Sequence, residues 1–179
     1  HYWVIDPIDG TKNYVRGVPV WATLIALINE KNEVVVGVVS APALERTWYA
    51  SIGNGAFLKT NSETKRISVS KVAQLKDASL TYSDLVGWGS RKEKFLTLQE
   101  NVWRTRGYGD FWNYVAVADG SVDIAIEPTL NLWDMAANEI IVREAGGVFT
   151  NLEGTPGPHG GNAVATNGLL HAQVLKEIN

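Results

Sequence analysis

Short runs of apolar and β-branched residues follow one another through the first part of the chain. They cover residues 2–5, 19–29, 34–41 and 46–52. Runs of this length and composition predict strands, and the polar stretch Glu30–Glu33 predicts a hairpin between the second and the third. The pair Asn54-Gly55 is typical of a two-residue hairpin leading into a strand at 56–58, and residues 66–70 alternate as a strand should. We therefore expect a mostly antiparallel sheet in this half.

From about residue 79 the pattern changes to an alternation of helices and strands. The spacing of apolar residues predicts helices over 91–102, 111–119, 132–145 and 169–178. Apolar runs between them predict strands at 79–83, 122–127, 148–150 and 163–166. Asp110 is a candidate N-cap of the second helix, and Gly120 is a candidate stop. No repeat or linker divides the chain, so we expect one domain over residues 1–179, of the α/β class with mixed sheets.

The apolar stripe is clearest in the helix predicted at 132–145. Its members are Trp133, Ala136, Ala137, Ile140, Ile141 and Ala145. Gly146-Gly147 ends the helix, and Asp134 lies in its first turn, where the helix dipole favours a carboxylate. Because Asp134 lies beside the stripe, we expect its side chain to project toward whatever lies above the strands.

Composition and charge narrow the class of function. The chain has 179 residues, 45% of them apolar and 20% charged, which is enough for a sizeable core. A net charge of -3 without a basic stripe disfavours nucleic acid as a partner. The longest apolar stretch, 18–28, is too short to span a bilayer, and no signal-peptide pattern opens the chain, so no membrane partner is expected. The absence of cysteine suits a reducing compartment, with the cytoplasm as the default location.

The candidate chemistry begins in an acidic turn directly after the first apolar run. The turn has the sequence Asp6-Pro7-Ile8-Asp9-Gly10-Thr11. Two carboxylates and the Ile8 carbonyl offer only oxygen ligands, which suit Mg²⁺ rather than Zn²⁺. Gly10 allows close approach of the backbone to an anion, and the amides of Gly10 and Thr11 face a phosphate if a helical turn starts here. We interpret the turn as a joint metal and phosphate site.

Structural interpretations compete with these functional ones. Asp6 and Asp9 also suit plain turn formation before a glycine, and a first-turn Asp such as Asp134 is more often only a helix-start residue. Asp110 also fits a pure N-cap, and Glu127, which precedes a proline, also fits a solvated loop acid.

The lysine and the tryptophans of these motifs have equally plain interpretations. Lys12 is either a charge that steers phosphate or a solvated loop residue. Trp3, Trp21 and Trp133 fall within apolar patterns and are interpreted as core, whereas Trp112 is a candidate wall of a substrate pocket.

Two separated motifs carry a resemblance to a known family. Residues Trp3–Thr11 (WVIDPIDGT), together with Leu132–Ala137 (LWDMAA) and Glu144–Gly147 (EAGG), resemble the signatures of the inositol monophosphatase superfamily. Both signatures are present in order, and the resemblance covers essentially all of the chain. It implies a layered αβαβα sandwich with mixed sheets and hydrolysis of a small-molecule phosphate monoester that depends on two or three Mg²⁺ ions. Inhibition by Li⁺ and assembly as a homodimer are also implied.

Three further segments favour one branch of that superfamily. Residues Lys12–Trp21, Arg106–Trp112 and Pro156–Gly161 resemble bacterial histidinol-phosphate phosphatases, which act in histidine biosynthesis. The expected reaction is hydrolysis of L-histidinol phosphate to L-histidinol. An inositol-1-phosphate phosphatase or a broad small-molecule phosphatase is the nearest alternative, and a non-catalytic protein that binds metal and anion is an alternative of another class.

The resemblance also implies which residues hold the metal ions and take part in catalysis. Asp6 bridges two ions, the Ile8 carbonyl serves the first ion with Asp6, and Asp9 with Asp134 completes the second. The Thr11 hydroxyl helps to orient the attacking water, so Thr11 and Asp6 are the implied catalytic residues. Ile8, Asp9 and Asp134 also border the substrate.

Substrate contacts follow from the same resemblance. The amides of Gly10 and Thr11 hold the phosphate. The positions that line the alcohol half of the substrate are Arg106, Gly109, Asp110, Phe111 and Glu127. Histidinol carries an ammonium group and an imidazole, so acids at Asp110 and Glu127 would complement its positive charge.

One family motif has no counterpart in this sequence. The family's paired glutamates, which supply further metal carboxylates, lie in a segment before the strand at which this sequence begins. We therefore expect that the sequence lacks a segment at its front. A chain that truly starts at His1 is expected to bind metal weakly and to turn over little or no substrate.

Overall fold

A computed structural model describes all residues, 1–179, and its first half forms one antiparallel sheet. The six strands lie side by side in chain order: β1 (Tyr2–Asp9), β2 (Ala22–Ile28), β3 (Val34–Ala41), β4 (Arg46–Ser51), β5 (Gly55–Lys59) and β6 (Thr64–Ile67). Burial alternates along β2 because successive side chains point to opposite faces and only one face is packed. The prediction of a mostly antiparallel first half is confirmed.

The second sheet is mixed, as predicted. Its strands are β7 (Ser79–Thr81), β8 (Arg104–Arg106), β9 (Ile124–Glu127), β10 (Val148–Thr150) and β11 (Ala163–Thr166). They lie in the order β10-β11-β9-β7-β8, in which β7 runs parallel to both β8 and β9 and the other pairs are antiparallel. Strand β8 has the polar sequence Arg-Thr-Arg, and this lack of a hydrophobic signal explains why the sequence did not predict it.

Helices fill the space between the sheets and cover the far side of the second. They are α1 (Thr11–Val15), α2 (Lys92–Glu100), α3 (Asp110–Ala118), α4 (Leu132–Glu144) and α5 (His171–Ile178). Helices α3 and α4 share the larger apolar core with the first sheet, whereas α2 and α5 pack with strands β9 and β11 in a second core. The result is a layered α/β sandwich. None of its helices has the length and apolarity that crossing a bilayer requires.

Helix α4 approaches the first sheet closely because β3 carries a glycine at the contact. A Cβ atom on Gly37 would lie 2.7 Å from the carbonyl oxygen of Ala137. No side chain other than hydrogen fits there without a shift of backbone. Gly37 thereby fixes the distance between the sheet and the helix that carries Asp134.

Two of the predicted core tryptophans are exposed. Trp3 is 60% exposed because β1 is an edge strand whose outer face no helix of this chain covers. Trp133 is 49% exposed because the second residue of α4 points into a cleft rather than into the core. Trp21 is half-buried and packs edge-to-face against Tyr14 at 5.0 Å between ring centroids.

Two local predictions are also wrong. The turn between β4 and β5 has three residues, 52–54, because Ser51 pairs with Gly55. Gly53 adopts a φ of 76°, the left-handed conformation that such a turn needs. Asp110 is not an N-cap: Gly109 precedes α3, and Asp110 is its first residue, with a φ of 53°.

Candidate active site

An open cleft of about 650 Å³ lies where the ends of several elements meet. The end of β1, the start of α1 and the start of α4 form one wall. The loop before α3 and the end of β9 form the opposite wall. We call these the phosphate wall and the alcohol wall, after the halves of the substrate that the family resemblance implies for their residues.

A bulge in β1 brings Asp6 and Asp9 to the same side. Side chains three positions apart in a regular strand point to opposite faces. The pairing of β1 with β2 shifts register between these two residues, since Asp6 lies opposite Leu24 and Asp9 opposite Ala22. The extra residue turns the Asp9 carboxylate toward Asp6. One carboxylate oxygen from each of Asp6, Asp9 and Asp134 lies within 4.8 Å of the others.

A backbone amide holds each of these three carboxylates. Asp6 Oδ1 accepts a hydrogen bond from the Ile8 N–H at 3.0 Å, and Asp9 Oδ2 accepts one from the Phe111 N–H at 2.7 Å. Asp134 Oδ2 accepts from the Asn131 N–H at 2.7 Å, which forms half of a capping box at the start of α4. The carboxylates are therefore oriented by main chain rather than by mobile side chains.

The turn after Asp9 presents polar backbone to the cleft. Gly10 has a φ of 75°, and a Cβ atom there would lie 3.0 Å from the Val20 carbonyl oxygen and 3.3 Å from Asp110 Oδ2. The Thr11 hydroxyl donates a hydrogen bond to the Ile8 carbonyl at 2.8 Å. Thr11 begins α1, where the first amide groups have no acceptor within the helix and remain available to an anion.

The three carboxylates of the phosphate wall lie close together, which makes this wall a candidate site for a cation. Burial raises the pKa of Asp9 to about 8, with further contributions from the charges of Asp110, Asp6 and Asp134. Burial also raises the pKa of Asp6, to which Asp134 adds. A divalent ion would reverse these shifts by neutralising the shared charge. Carboxylate oxygens alone make a hard donor set, of the kind that divalent cations such as Mg²⁺ prefer.

The alcohol wall holds two further acids, Asp110 and Glu127, and Glu127 is buried. Glu127 is only 5% exposed, and its burial raises its pKa to about 7 although Asn113 Nδ2 donates to Oε1 at 2.9 Å. Burial and the charge of Asp134 raise the pKa of Asp110, and the positive charge of Lys12 partly offsets this rise. Both acids line the cleft, so neither is a solvated loop residue or a plain N-cap.

Most of the predicted site residues meet in the cleft, but three do not line it: Arg106, Phe111 and Ile8, whose carbonyl accepts the hydrogen bond of Thr11. The cleft takes in Asp6, Asp9, Gly10, Thr11, Gly109, Asp110, Glu127 and Asp134. Arg106 is exposed and donates to the Thr105 carbonyl. Phe111 is 1% exposed and packs against Trp48, so it offers the site only its amide. Trp112 also packs on Trp48 and is not part of the cleft wall.

Several residues at the site were not singled out from the sequence. Asn13 of α1 and the loop residues Ser83 and Tyr108 line the cleft, and no role was predicted for any of the three. Asn113 lies behind the alcohol wall and is fully buried. Its signal was present, because it is the one amide within the apolar helix sequence Phe-Trp-Asn-Tyr-Val-Ala-Val-Ala.

Comparison with known proteins assigns the class. The chain belongs to the inositol monophosphatase family, whose model matches residues 1–179. It is 60% identical to the histidinol-phosphatase of Streptomyces coelicolor over 99% of this chain and 69% of that protein. It is 58% identical to the histidinol-phosphatase of Mycobacterium tuberculosis, with the same coverage of 99% and 69%.

More distant relatives confirm the fold. The chain is 40% identical to a fructose-1,6-bisphosphatase/inositol-1-monophosphatase of Thermotoga maritima, over 99% of this chain and 67% of that protein. A solved IMPase structure from Thermotoga maritima superposes with a TM-score of 0.86 at 38% identity, covering 99% of this chain and 68% of that one. The family and the fold class expected from the two signatures are therefore confirmed.

Proposed function

We propose that this protein hydrolyses L-histidinol phosphate to L-histidinol in histidine biosynthesis, in a reaction that depends on Mg²⁺. The observation that carries the substrate assignment is the position of two acids, Asp110 and Glu127, in the same cleft as the metal-binding carboxylates. The two relatives at 58% and 60% identity, both named histidinol-phosphatase, support it. The homodimer and the cytoplasmic location that the sequence suggested are part of the same proposal.

The phosphate wall supplies the ligands for metal. Asp6, the Ile8 carbonyl, Asp9 and Asp134 would hold two or three ions, and Li⁺ would inhibit by competing there. When bound, Mg²⁺ polarises the phosphoryl oxygens, lowers the pKa of a bound water and offsets charge on the leaving alkoxide. An all-oxygen donor set is consistent with this choice of ion.

The chain's own groups position the reacting phosphate and water. The amides of Gly10 and Thr11 bind the phosphate oxygens. Since the Thr11 hydroxyl donates its proton to the Ile8 carbonyl, its lone pairs are free to accept a hydrogen bond from the attacking water. The Asp6 carboxylate lines the same cleft as Thr11 and restricts the positions that the water can take. Positioning and electrostatics are the main contributions a protein makes to phosphoryl transfer.

The alcohol wall recognises the charged part of the substrate. Histidinol phosphate has an ammonium group and a titratable imidazole on its alcohol half, and Asp110 with Glu127 supplies the complementary charge. A buried carboxylate with a raised pKa gains most from such a partner, because the incoming cation replaces solvation that the folded state has removed. Contacts from Gly109 and Arg106 to the same half remain predictions from the resemblance.

A second candidate substrate is inositol 1-phosphate. Glu127 can accept hydrogen bonds from hydroxyl groups as well as from a cation, and a relative at 40% identity carries an inositol-1-monophosphatase name. The two substrates differ in charge, so the role of Asp110 distinguishes them.

The test is release of phosphate from both esters in parallel, with and without a chelator, by the wild-type protein and by Asp110→Asn. We expect Mg²⁺-dependent release with a preference for L-histidinol phosphate, and a selective loss of that preference in the variant. Equal losses on both esters would contradict the recognition of a cation. Release from neither ester, by this chain and by a chain extended before His1 with the family's paired-glutamate segment, would contradict the proposed function.

A further inference from the structure

One buried amide connects the residues of the alcohol wall. Asn113 lies in the first half of α3, is 0% exposed and makes four side-chain hydrogen bonds. Its Oδ1 accepts from the Thr81 hydroxyl at 2.5 Å and from the Gly109 N–H at 2.9 Å. Its Nδ2 donates to Ser83 Oγ at 3.1 Å and to Glu127 Oε1 at 2.9 Å. The full hydrogen-bonding capacity of the amide is used.

The orientation of this amide follows from its partners. The Gly109 N–H can only donate, so the atom facing it must be the oxygen of Asn113. The amino group therefore faces Glu127 and donates to it. A rotation that exchanged the two atoms would place two donors against each other at Gly109 and two acceptors against each other at Glu127.

The same side chain supports an unusual backbone turn. Gly109 and Asp110 have φ values of 86° and 53°, and the left-handed conformation is unfavourable for a residue with a Cβ atom. Asn113 accepts from the Gly109 N–H, and Ser83 Oγ, which Asn113 also contacts, accepts from the Asp110 N–H at 3.0 Å. The turn therefore rests on the amide both directly and through Ser83.

We propose that Asn113 is a positioning residue for substrate specificity, which sets Asp110 and Glu127 at a fixed spacing on the alcohol wall. It acts through those two acids and does not itself line the cleft. The inference rests on the proposed function in so far as the acids bind the charged half of the substrate. It adds that one amide, three residues after Asp110 on α3, connects that helix to Glu127 at the end of β9 and so holds the spacing of the two acids.

The rival interpretation is that Asn113 only stabilises the fold. The two interpretations differ in their effect on catalysis. A structural role lowers the unfolding temperature without altering the kinetics of molecules that remain folded. A positioning role raises KM for the ester and leaves the phosphate wall intact, so inhibition by inorganic phosphate keeps its constant.

Three variants separate these effects. Asn113→Ala removes all four bonds. The nearly isosteric Thr81→Val removes one donor to Oδ1, together with the weaker bond that the Thr81 hydroxyl accepts from the Tyr108 N–H at 3.3 Å, and keeps the packing. Asn167→Ala is the matched control, because Asn167 is a buried amide that bonds to Ser70, Val72 and Leu170 and is not part of the cleft wall.

We expect KM for L-histidinol phosphate to rise about tenfold or more in Asn113→Ala and about threefold in Thr81→Val. The inhibition constant of inorganic phosphate should change by less than about twofold in both. Asn167→Ala should lower the unfolding temperature and leave KM unchanged. An unchanged KM in folded Thr81→Val and Asn113→Ala, or an equal weakening of phosphate inhibition, would overturn the proposal.

Failure of the proposed function would look different. If the wild-type protein prefers inositol 1-phosphate, the substrate assignment is wrong, and the same KM comparison on that ester still decides the role of Asn113. A crystal structure of Asn113→Ala decides it without turnover. The turn at Gly109–Asp110 and the Glu127 carboxylate should move, and their retention in place would overturn the proposal.

Discussion

The two walls of the cleft present acids to the substrate in different ways. On the phosphate wall, Asp6 and Asp9 come from one bulged strand, and backbone amides hold the carboxylates. On the alcohol wall, Asp110 and Glu127 come from different elements, and a side-chain network behind the surface connects them. Main-chain groups orient the first set of acids, one of them across 102 positions of sequence, whereas side chains connect the second set. The first wall is therefore suited to invariant chemistry and the second to adjustment of specificity.

The positively charged partner that would neutralise the acids also differs between the two walls. Both contain acids whose pKa is raised by burial. A metal ion would relieve the phosphate wall in every catalytic cycle, whereas only a cationic substrate would relieve the alcohol wall. Variants on the first wall should therefore affect all esters, and variants on the second should affect one class.

The largest effect is expected from Asp134→Asn on the phosphate wall. Loss of one carboxylate weakens metal binding and removes several kcal/mol of charge stabilisation, so kcat/KM should fall about a thousandfold on every ester. Phosphate release at a series of Mg²⁺ concentrations measures it. The exposed Asp77→Asn is the matched control and should behave as wild type. A loss confined to L-histidinol phosphate would break the distinction between the walls.

Glu127→Gln tests the alcohol wall. Glutamine keeps the oxygen that Asn113 contacts but removes the charge, so KM for L-histidinol phosphate should rise about tenfold to a hundredfold, while KM for inositol 1-phosphate changes little. Steady-state kinetics on both esters measures the split. Equal increases would show that Glu127 binds hydroxyl groups rather than a cation.

The pH dependence sharpens the same test. The pKa of Glu127 is raised to about 7, so the carboxylate carries its charge only above that pH. Relative to inositol 1-phosphate, whose phosphate titrates in the same way and whose alcohol half is uncharged, affinity for the cationic ester should therefore increase as the pH rises through about 7. The ammonium group of histidinol phosphate stays charged over this range, and the loss of its imidazole proton reduces the increase. Glu127→Gln should abolish this difference. Its persistence in the variant would assign the titration to another group.

Gly10→Ala tests the close contact between the two walls, where Gly10 lies next to Asp110. An alanine at a φ of 75° is strained, and its Cβ would press on the Val20 carbonyl and on Asp110. Gly53→Ala is the control, since Gly53 has a φ of 76° with nothing within 4 Å. The free energy of unfolding should fall by about 1 kcal/mol in the control and by about 2 to 3 kcal/mol in Gly10→Ala. Urea denaturation of both variants measures the difference, and equal losses would argue against the contact.

The smallest effect concerns stability away from the cleft. His171 is 8% exposed between the hydroxyls of Thr150 and Thr166, and burial lowers its pKa to about 4. The unfolded chain takes up the proton near pH 6.5, so the folded state loses stability as the pH falls below that value. The contribution of His171 to this loss should reach about 2 kcal/mol between pH 7 and pH 5, measured as the difference between wild type and a His171 variant.

Thermal denaturation against pH checks this expectation with two variants. His171→Asn should flatten the curve over that interval, and the exposed His159→Asn should leave it as in wild type. A His171→Asn curve with the wild-type slope would contradict the assignment to His171, because the raised pKa values of Asp9 and Glu127 make those carboxylates act in the opposite direction over this interval. The measurement thus separates the stability of the fold from the titration of the site.

The sequence predicted what depends on local pattern. The antiparallel first half, the helix that carries Asp134 and the Asp6–Thr11 turn follow from periodicity, caps and a short motif. The exposure of Trp3 did not follow, because periodicity cannot show which strand lies at the edge of a sheet. Asn113 stood out as the one amide in an apolar helix, but its role did not follow, because three of its four partners lie 14 to 32 positions away and only the fold brings them together.

The hydrogen bond from the Phe111 amide to Asp9 has a consequence for engineering. It joins residues 102 positions apart and ties the start of α3 to a carboxylate of the phosphate wall. The loop and helix of the alcohol wall therefore cannot be exchanged independently of the phosphate wall. A loop and helix transplanted from a relative to change the substrate must deliver an amide to the same point, or Asp9 loses the contact that orients it. Redesign of substrate selectivity should keep the backbone position of residue 111 unchanged and vary the side chains around it.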